Sequence, residues 1–365
     1  MKVVFAGGGT GGHVYPGLAV AGALEAQLHQ QGDALEMLYI GVRGRADEKI
    51  IGTAGRAFRA VSAGQLRVGS PLTFAGNLLE LARGILQARS ILRSFAPRVV
   101  FATGGYASVP VGVAARLQRI PLVVFLPDVT PGWAVRLLSR LATKVTTTSE
   151  RALDYLPRHK TAVVGYPVRP DFWSIDRPSA RAKFGFEADA KVLLITSGSL
   201  GARSINDAVL ASLPGLTDVC DALHVTGAAD EPRARERCAR LTPEQQARYH
   251  VYSYIDDMPA VMIAADLVVS RAGASTLGEL PAAGLPAILV PGEYEGWSQA
   301  PNAEYLQSKG AAVVLTNAEL ASLGSSVREL LADEARLRRM ADAMRSLARP
   351  DAARDLAQIL KEEAA

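Results

Sequence analysis

The sequence predicts an α/β fold of two doubly wound halves, and three observations predict it. Short apolar runs alternate with helical patterns through most of the chain, as parallel strands joined by crossover helices do. A proline-rich break, Pro167-Val168-Arg169-Pro170, separates two such series. Glycine-rich turns follow several of the strand-like runs, where a strand hands over to a helix. At 365 residues, each half is long enough for its own core.

The first half offers strands at 3–6, 36–40, 99–102, 122–125, 144–147 and 161–164. Between the first two, Leu18, Ala21, Leu24 and Leu28 recur at helical spacing. Beyond the break, strands at 192–196, 222–226, 250–252, 267–269 and 287–290 repeat the scheme. Residues 318–365 read as helical, interrupted at Pro350. A last helix after such a break often packs back on another domain. The expected division is therefore 1–165, 166–345, and a terminal helix in 346–365 that returns to the first domain. Two Rossmann-like halves of this kind put ligands at the carboxyl ends of both sheets, facing one cleft.

Apolar residues make up 49% of the chain and aromatic ones 6%, ordinary for an α/β protein. No apolar run reaches the roughly 18 residues of a membrane span. The chain opens directly on a strand, without the charged, apolar and cleavage regions of a signal peptide. Cys220 and Cys238 have no metal-like spacing, so a reducing cytoplasm and inert packing roles are expected. The net charge of +4 hides an asymmetry. Residues 1–165 hold 19 Lys and Arg against 9 Asp and Glu, +10, and residues 166–365 carry −6. A basic half suggests an anionic partner. Its cations are not interleaved with aromatics, which argues against a nucleic acid.

Three glycine-rich loops sit between a strand and a helix, where exposed backbone can wrap phosphate. They are Gly7-Gly8-Gly9-Thr10-Gly11-Gly12-His13, Thr103-Gly104-Gly105-Tyr106-Ala107-Ser108, and Ser197-Gly198-Ser199-Leu200-Gly201-Ala202-Arg203. Each alone also answers the steric need of a tight turn. The first contains the dinucleotide spacing Gly7-x-Gly9-x-x-Gly12, but the second strand ends Tyr39-Ile40-Gly41-Val42-Arg43 without the acid that a dinucleotide ribose requires. Among five histidines only His13 lies in such a loop, where an imidazole can accept a proton from an attacking hydroxyl or simply bond backbone.

Residues 270–302 carry the most information. A turn at Arg271-Ala272-Gly273 leads to a helix at 275–283, a buried strand at 286–290, a loop and another helix. Backbone N–H groups and the dipole at the helix start favour an anion, and Ser275 and Thr276 add hydroxyls there. Glu279 lies one turn further on, where a carboxylate can hold a ribose. Gln299 and Asn302 offer amides to a sugar ring. The layout is that of a nucleotide-sugar seat, and a solvated helix is the plainer alternative. No Asp-x-Asp occurs. Asp256-Asp257 reads as a helix cap before Met258, and Glu293-x-Glu295 as a loop. No metal and no cofactor is expected, so helix dipoles, N–H groups and cations such as Arg169 or Arg203 must meet leaving-group charge.

Together these stretches resemble the MurG family, the UDP-N-acetylglucosamine transferases that complete the peptidoglycan lipid precursor. The resemblance runs in order through Gly8–Ala21, Thr103–Pro110, Val164-Gly165-Tyr166-Pro167-Val168-Arg169, Gly198–Arg203, Tyr254-Ile255-Asp256-Asp257-Met258 and the 270–302 stretch. It implies a GT-B glycosyltransferase fold. It also implies UDP-GlcNAc as donor, undecaprenyl-diphospho-muramoyl-pentapeptide as acceptor, inversion at the sugar carbon and no metal. On matching positions Ile255 would meet the uracil through its backbone, Ala274, Ser275 and Thr276 the diphosphate, Glu279 the ribose and Gln299 the GlcNAc. Thr10, Gly11, Gly12, Arg169 and Ser199 would also line the donor side. His13, the candidate base, would face the acceptor with Gly104, Gly105 and Tyr106.

The chain departs from the family where a His-Glu-Gln-Asn run is usual. Here that place reads Phe125-Leu126-Pro127-Asp128, leaving Asp128 as the polar contact for the acceptor. Ser197, Leu200 and Ser298 replace a glycine and two glutamines. The family works at the cytoplasmic face of the cell membrane as a peripheral protein. Two basic, apolar sets fit an anionic leaflet: Leu72, Phe74, Leu78, Leu79, Ile85 and Leu86 with Arg83, Arg89 and Arg93, and Trp133, Leu137 and Leu138 with Arg136 and Arg140. The altered 125–128 motif keeps open a related transferase acting on another lipid or a secondary metabolite. A catalytically dead binding protein is disfavoured by His13, Glu279 and Gln299.

Overall fold

The computed structural model describes residues 1–8, 11–64, 71–198, 201–294 and 297–365. Two compact units emerge, one of Met1–Arg169 with Arg349–Ala365, the other Pro170–Ala348. The breaks thus fall at Arg169–Pro170 and Ala348–Arg349, rather than after Gly165 and Arg345. Counted on these units, the charge split is again +10 and −6.

In the first unit seven parallel strands form one sheet: β1 (Lys2–Ala6), β2 (Glu36–Gly41), β3 (Ala57–Ala60), β4 (Val99–Ala102), β5 (Leu122–Leu126), β6 (Lys144–Thr147) and β7 (Thr161–Val163). Their order is β3-β2-β1-β4-β5-β6-β7. Val3, Val4, Phe5 and Ala6 are all buried, as are the four residues of β4, because helices cover both faces of a parallel sheet. Phe5, Phe101 and Phe125 form a chain of ring contacts across β1, β4 and β5.

The second unit has β8 (Val192–Thr196), β9 (Asp221–Val225), β10 (Tyr249–Tyr252), β11 (Leu267–Ser270) and β12 (Ala287–Leu289). An antiparallel hairpin follows, β13 (Glu293–Tyr294) with β14 (Trp297–Ser298), and then β15 (Ala312–Val314). The main sheet runs β10-β9-β8-β11-β12-β15, all parallel. The strands without a counterpart in the sequence reading are β3 and β15, both short edge strands, and the hairpin. The 318–365 helical stretch is cut at Asp333 as well as at Pro350, because the Asp333 carboxylate caps a new helix, Glu334–Ser346, through the Arg336 N–H at 2.9 Å.

In each sheet the strand order reverses once, between β1 and β4 and between β8 and β11. Ligands of open parallel sheets bind outside the carboxyl ends at such reversals. The first and second glycine loops leave β1 and β4, the third leaves β8, and the Arg271 turn leaves β11. The last helix, Ala352–Glu363, packs in the first unit on Gly11–His29, with Leu356 and Leu360 fully buried and Gln27 Nε2 donating to the Arg354 carbonyl at 3.1 Å. Gly165, at φ +88°, makes room for Arg349, whose side chain occupies the place a Cβ would take.

Candidate active site

His13 lies in the first turn of the helix Gly11–His29. Its Nδ1 is 2.8 Å from the Thr103 carbonyl oxygen, and the Thr103 hydroxyl donates back to the His13 carbonyl at 2.8 Å. A carbonyl oxygen only accepts, so Nδ1 carries the proton and neutral His13 keeps its lone pair on Nε2. Next in the chain, Gly104 and Gly105 have φ of +94° and +79°. A Cβ on Gly105 would run into the Gly8 carbonyl, so the two loops cross where only glycine fits. The Ser108 hydroxyl is placed between the Gly104 and Ala6 carbonyls, at 2.5 and 3.0 Å. Tyr106 packs on Trp133 with ring centroids 6.5 Å apart.

The Gly12 carbonyl accepts from the Tyr166 hydroxyl at 3.1 Å, and the Arg169 guanidinium lies over the Tyr15 ring at 5.3 Å. His13, Gly104 and Gly105 therefore come together, and Gly12 and Arg169 are tied to that helix start. Thr10 and Ser199 lie outside the described residues. At the departure from the family motif, Phe125, Leu126 and Pro127 are buried, and Asp128 is the first half-buried residue. Those positions are built into the sheet core.

The sequence reading missed Asp47. It is fully buried, and Oδ2 accepts from the Val42 N–H at 3.0 Å, so an acid does stand at the end of β2. Gly8 and Gly41 close over it, and any Cβ on Gly41 would collide with its oxygen. The acidic pair Asp47-Glu48 at a helix start was the signal available. Covered in this way, it is not open to a ribose.

In the second unit one turn gathers Ala274, Ser275, Thr276 and Glu279. The helix Thr276–Ala283 begins there, with Ser275 at its cap. The Thr276 N–H and hydroxyl both go to the Gly273 carbonyl, at 3.0 and 2.6 Å, and the Leu277 N–H to Ala274 at 3.1 Å. The Thr276 hydroxyl thus clasps its own turn at the start of the helix. Among the described residues, the Ala274 and Ser275 N–H groups have no such carbonyl. Glu279 is half-buried one turn on.

Asn302, expected to face a sugar, instead donates to the Ala272 carbonyl at 3.0 Å and is buried. Gln299, buried too, accepts from the Gly292 N–H at 2.8 Å through Oε1, with Nε2 turned toward Gly273. Ile255 follows β10, separated from β11 by β9 and β8, and is buried, and Asp257 caps the next helix through the Ala260 N–H at 3.2 Å.

Arg271 and His224 escaped the sequence reading as well. The Arg271 guanidinium bonds the Val290 and Pro291 carbonyls at 3.1 Å each, Asn317 at 3.2 Å and the Ser204 hydroxyl at 2.9 Å. It ties the turn after β11 to the loop after β12 and to the helix after the third glycine loop. His224 Nε2 lies 3.0 Å from Asn206 Oδ1, and Nδ1 2.8 Å from the Tyr249 hydroxyl. The Asn206 amide donates to the Thr226 carbonyl and to Asp230, both at 2.9 Å. With that amide orientation Nε2–H must be the donor. Burial pushes the His224 pKa down to about 3, and the Asn206 amide, with Arg233 and Arg203, holds Asp230 below the usual carboxylate range. The network sits under Gly201, at φ +72°, whose Cβ would strike the Thr226 carbonyl.

Two Rossmann-like units with phosphate-type turns at both sheet reversals define the GT-B fold. Crystal structures agree: Acinetobacter baumannii MurG superposes with a TM-score of 0.74 over 99% of both chains at 24% identity, and the kitacinnamycin glycotransferase with 0.71 over 100% and 99% at 16%. Residues 3–147 match the glycosyltransferase family 28 N-terminal domain and 192–356 its C-terminal domain. A Roseiflexus protein named UDP-N-acetylglucosamine–N-acetylmuramyl-(pentapeptide) pyrophosphoryl-undecaprenol N-acetylglucosamine transferase is 38% identical over 99% of this chain and 94% of its own length. The chain belongs to that transferase family, the MurG family.

Proposed function

We infer that this chain transfers GlcNAc from UDP-GlcNAc to undecaprenyl-diphospho-N-acetylmuramoyl-pentapeptide, with inversion and without a metal. The observation that carries this is the 38% identity to a transferase so named, held across nearly the whole of both chains. In the reaction an acceptor sugar hydroxyl attacks the GlcNAc anomeric carbon. The new C–O bond forms as the bond to UDP breaks. His13 Nε2 takes the hydroxyl proton, a role supported by the Nδ1–H bond to Thr103 that fixes its tautomer.

The Ala274 and Ser275 N–H groups and the helix dipole meet the charge on the departing diphosphate. Glu279 holds the ribose, the Gln299 Nε2 faces the sugar, and the Ile255 backbone meets the uracil. Gly104, Gly105, Tyr106 and Asp128 form the acceptor side. The deciding experiment is turnover of UDP-GlcNAc with the lipid-linked muramoyl acceptor, and no release of UDP would sink the reading. A second reading, transfer to another lipid or secondary-metabolite acceptor, is favoured by the burial of Phe125 and Leu126 where the family has polar groups. A panel of acceptors separates the two.

The partner surface we propose is the anionic cytoplasmic leaflet. No helix among the described residues is long and apolar enough to cross a membrane. On the helix Pro71–Phe95, Leu78, Leu79 and Leu86 are 52, 72 and 66% exposed, with Arg83, Arg89 and Arg93 on the same helix. Such a face suits peripheral attachment. The side chains of Leu72 and Phe74 lie outside the description.

A further inference from the structure

The second unit has a hollow of about 370 Å³ at the end of its sheet opposite the donor turns. It opens at the amino ends of β8, β11 and β12, where Lys191, Asp266 and Pro286 stand directly before the strands. The third glycine loop and the Arg271 turn leave the carboxyl ends of β8 and β11. Five cations line the hollow, Arg177, Arg181, Lys191, Arg338 and Arg345, against three carboxylates, Asp189, Asp266 and Glu334. Two positive charges are thus left over, in a unit whose total is −6.

The floor is rigid. Arg181 is buried and donates through Nε to the Ala264 carbonyl at 3.2 Å and through Nη1 to the Glu187 and Ala188 carbonyls at 3.1 and 2.6 Å. Its Nη2 reaches Asp266 at 2.8 Å, and the same carboxylate accepts from the Val192 N–H at 2.8 Å and from Arg177. One carboxylate therefore serves two guanidiniums and a backbone donor. A third guanidinium closes in from another element. Gly284, at φ +61°, ends the helix Thr276–Ala283, and a Cβ there would strike the Arg345 side chain, which lies across that helix end. Arg345 pairs with Asp342 at 2.6 Å, an exposed pair that water screens. Burial lowers the Arg177 pKa; Asp266 opposes the shift, and the charges of Arg181 and Arg345 add to it. The three guanidiniums thus stand close enough to repel one another.

We propose that this hollow is a binding site for a small phosphomonoester, separate from the seats of donor and acceptor. The two surplus charges match the charge of about −2 that such a group carries near pH 7. Guanidinium forks fit its oxygens, and an anion among Arg177, Arg181 and Arg345 relieves their repulsion. Pro286, Leu331, Leu337 and Ala341 give the wall an apolar side that can cover carbon, which favours an ester over free phosphate. A ligand here meets the donor turns only through the length of β8 and β11, so it binds in addition to UDP.

The test is calorimetry on the full chain at physiological salt, with UDP in excess and with ribose 5-phosphate and inorganic phosphate as probes. The parent protein should bind one ribose 5-phosphate, more tightly than phosphate. Arg345→Gln should weaken that binding about tenfold, and Arg177→Gln/Arg345→Gln about a hundredfold, as the loss of charge-assisted hydrogen bonds implies. Arg336→Gln, on the same helix but exposed and outside the wall, should leave it unchanged. Should the double variant fail to fold, Arg345→Gln decides alone, since the Arg181–Asp266 floor is intact in it. No binding to the parent, binding that Arg345→Gln leaves intact, or displacement of ribose 5-phosphate by UDP would each overturn the site. Phosphate bound as tightly as the ester would mean a free-anion site and overturn the ester assignment.

Discussion

In the proposed mechanism, the part assigned to His13 turns on which ring nitrogen carries the proton. The Thr103 carbonyl settles it, leaving Nε2 as the acceptor. His13→Ala should lower kcat by about 10²- to 10⁴-fold, the usual reach of general base catalysis, with little change in KM for UDP-GlcNAc. A full-speed variant would remove the base from the mechanism. Glu279→Ala should act on the other parameter. Losing a charge-assisted hydrogen bond to the ribose should raise KM for the donor about ten- to a hundredfold. A change confined to kcat would contradict that role. Arg271 touches no reacting atom in this account and is a positioning residue. Its planar fork reaches four acceptors, so Arg271→Lys cannot restore them and should weaken donor binding and lower Tm together. The sequence pointed to His13 and Glu279 through loop and helix spacing. It was silent on Arg271, whose meaning depends on four partners from separate segments.

Among the elements, the buried network under the third glycine loop makes the clearest demand on pH. His224 is neutral in the fold, with its pKa lowered by burial to about 3 against an ordinary value of 6.5. The unfolded chain therefore binds a proton that the folded chain refuses between those values. Stability from this site is complete above about pH 6.5 and is lost as pH falls toward 3, at about 1.4 kcal/mol per pH unit for one group. Chemical denaturation from pH 7 to 4.5 should show that slope, and His224→Gln should flatten it while lowering stability at pH 7. An unchanged slope would show that the proton is taken up elsewhere. In the sequence His224 had no chemical company. Its partners Asn206, Asp230 and Tyr249 converge only when β9, β10 and the helix Arg203–Thr217 pack together.

On the scale of the whole molecule, the last helix completes the unit in which the chain begins. Ending the chain at 348 would uncover the face of Gly11–His29 that Leu356 and Leu360 cover. Each buried leucine contributes on the order of 1.5–3 kcal/mol. The truncated protein should melt several degrees lower, with the loss in the first unit, which hydrogen exchange can localise to Gly11–His29. Exchange protection unaltered there would mean that the helix is dispensable. If the proposed attachment to an anionic leaflet holds, the charge split between the units, +10 against −6, predicts that vesicle binding weakens as salt rises. Binding that survives molar salt would have to be carried by exposed apolar side chains such as Leu78, Leu79 and Leu86.

What the sequence determined by itself is local: where strands and helices run, where glycine alone can turn, and which residues begin a helix after a strand. Hydrophobic period and backbone sterics act over a few residues, so they are legible in one chain, and the family motifs rest on the same short stretches. The tertiary structure decided what needs residues far apart. It joined His13 to Thr103 across 90 positions, buried Asp47 beneath two glycines, and engaged the Asn302 amide and the Thr276 hydroxyl with backbone carbonyls. It also brought Lys160 beside Arg136 and Arg140. A polar side chain takes whichever partner the packed fold brings within about 3 Å, and its own neighbours in sequence do not say which that is.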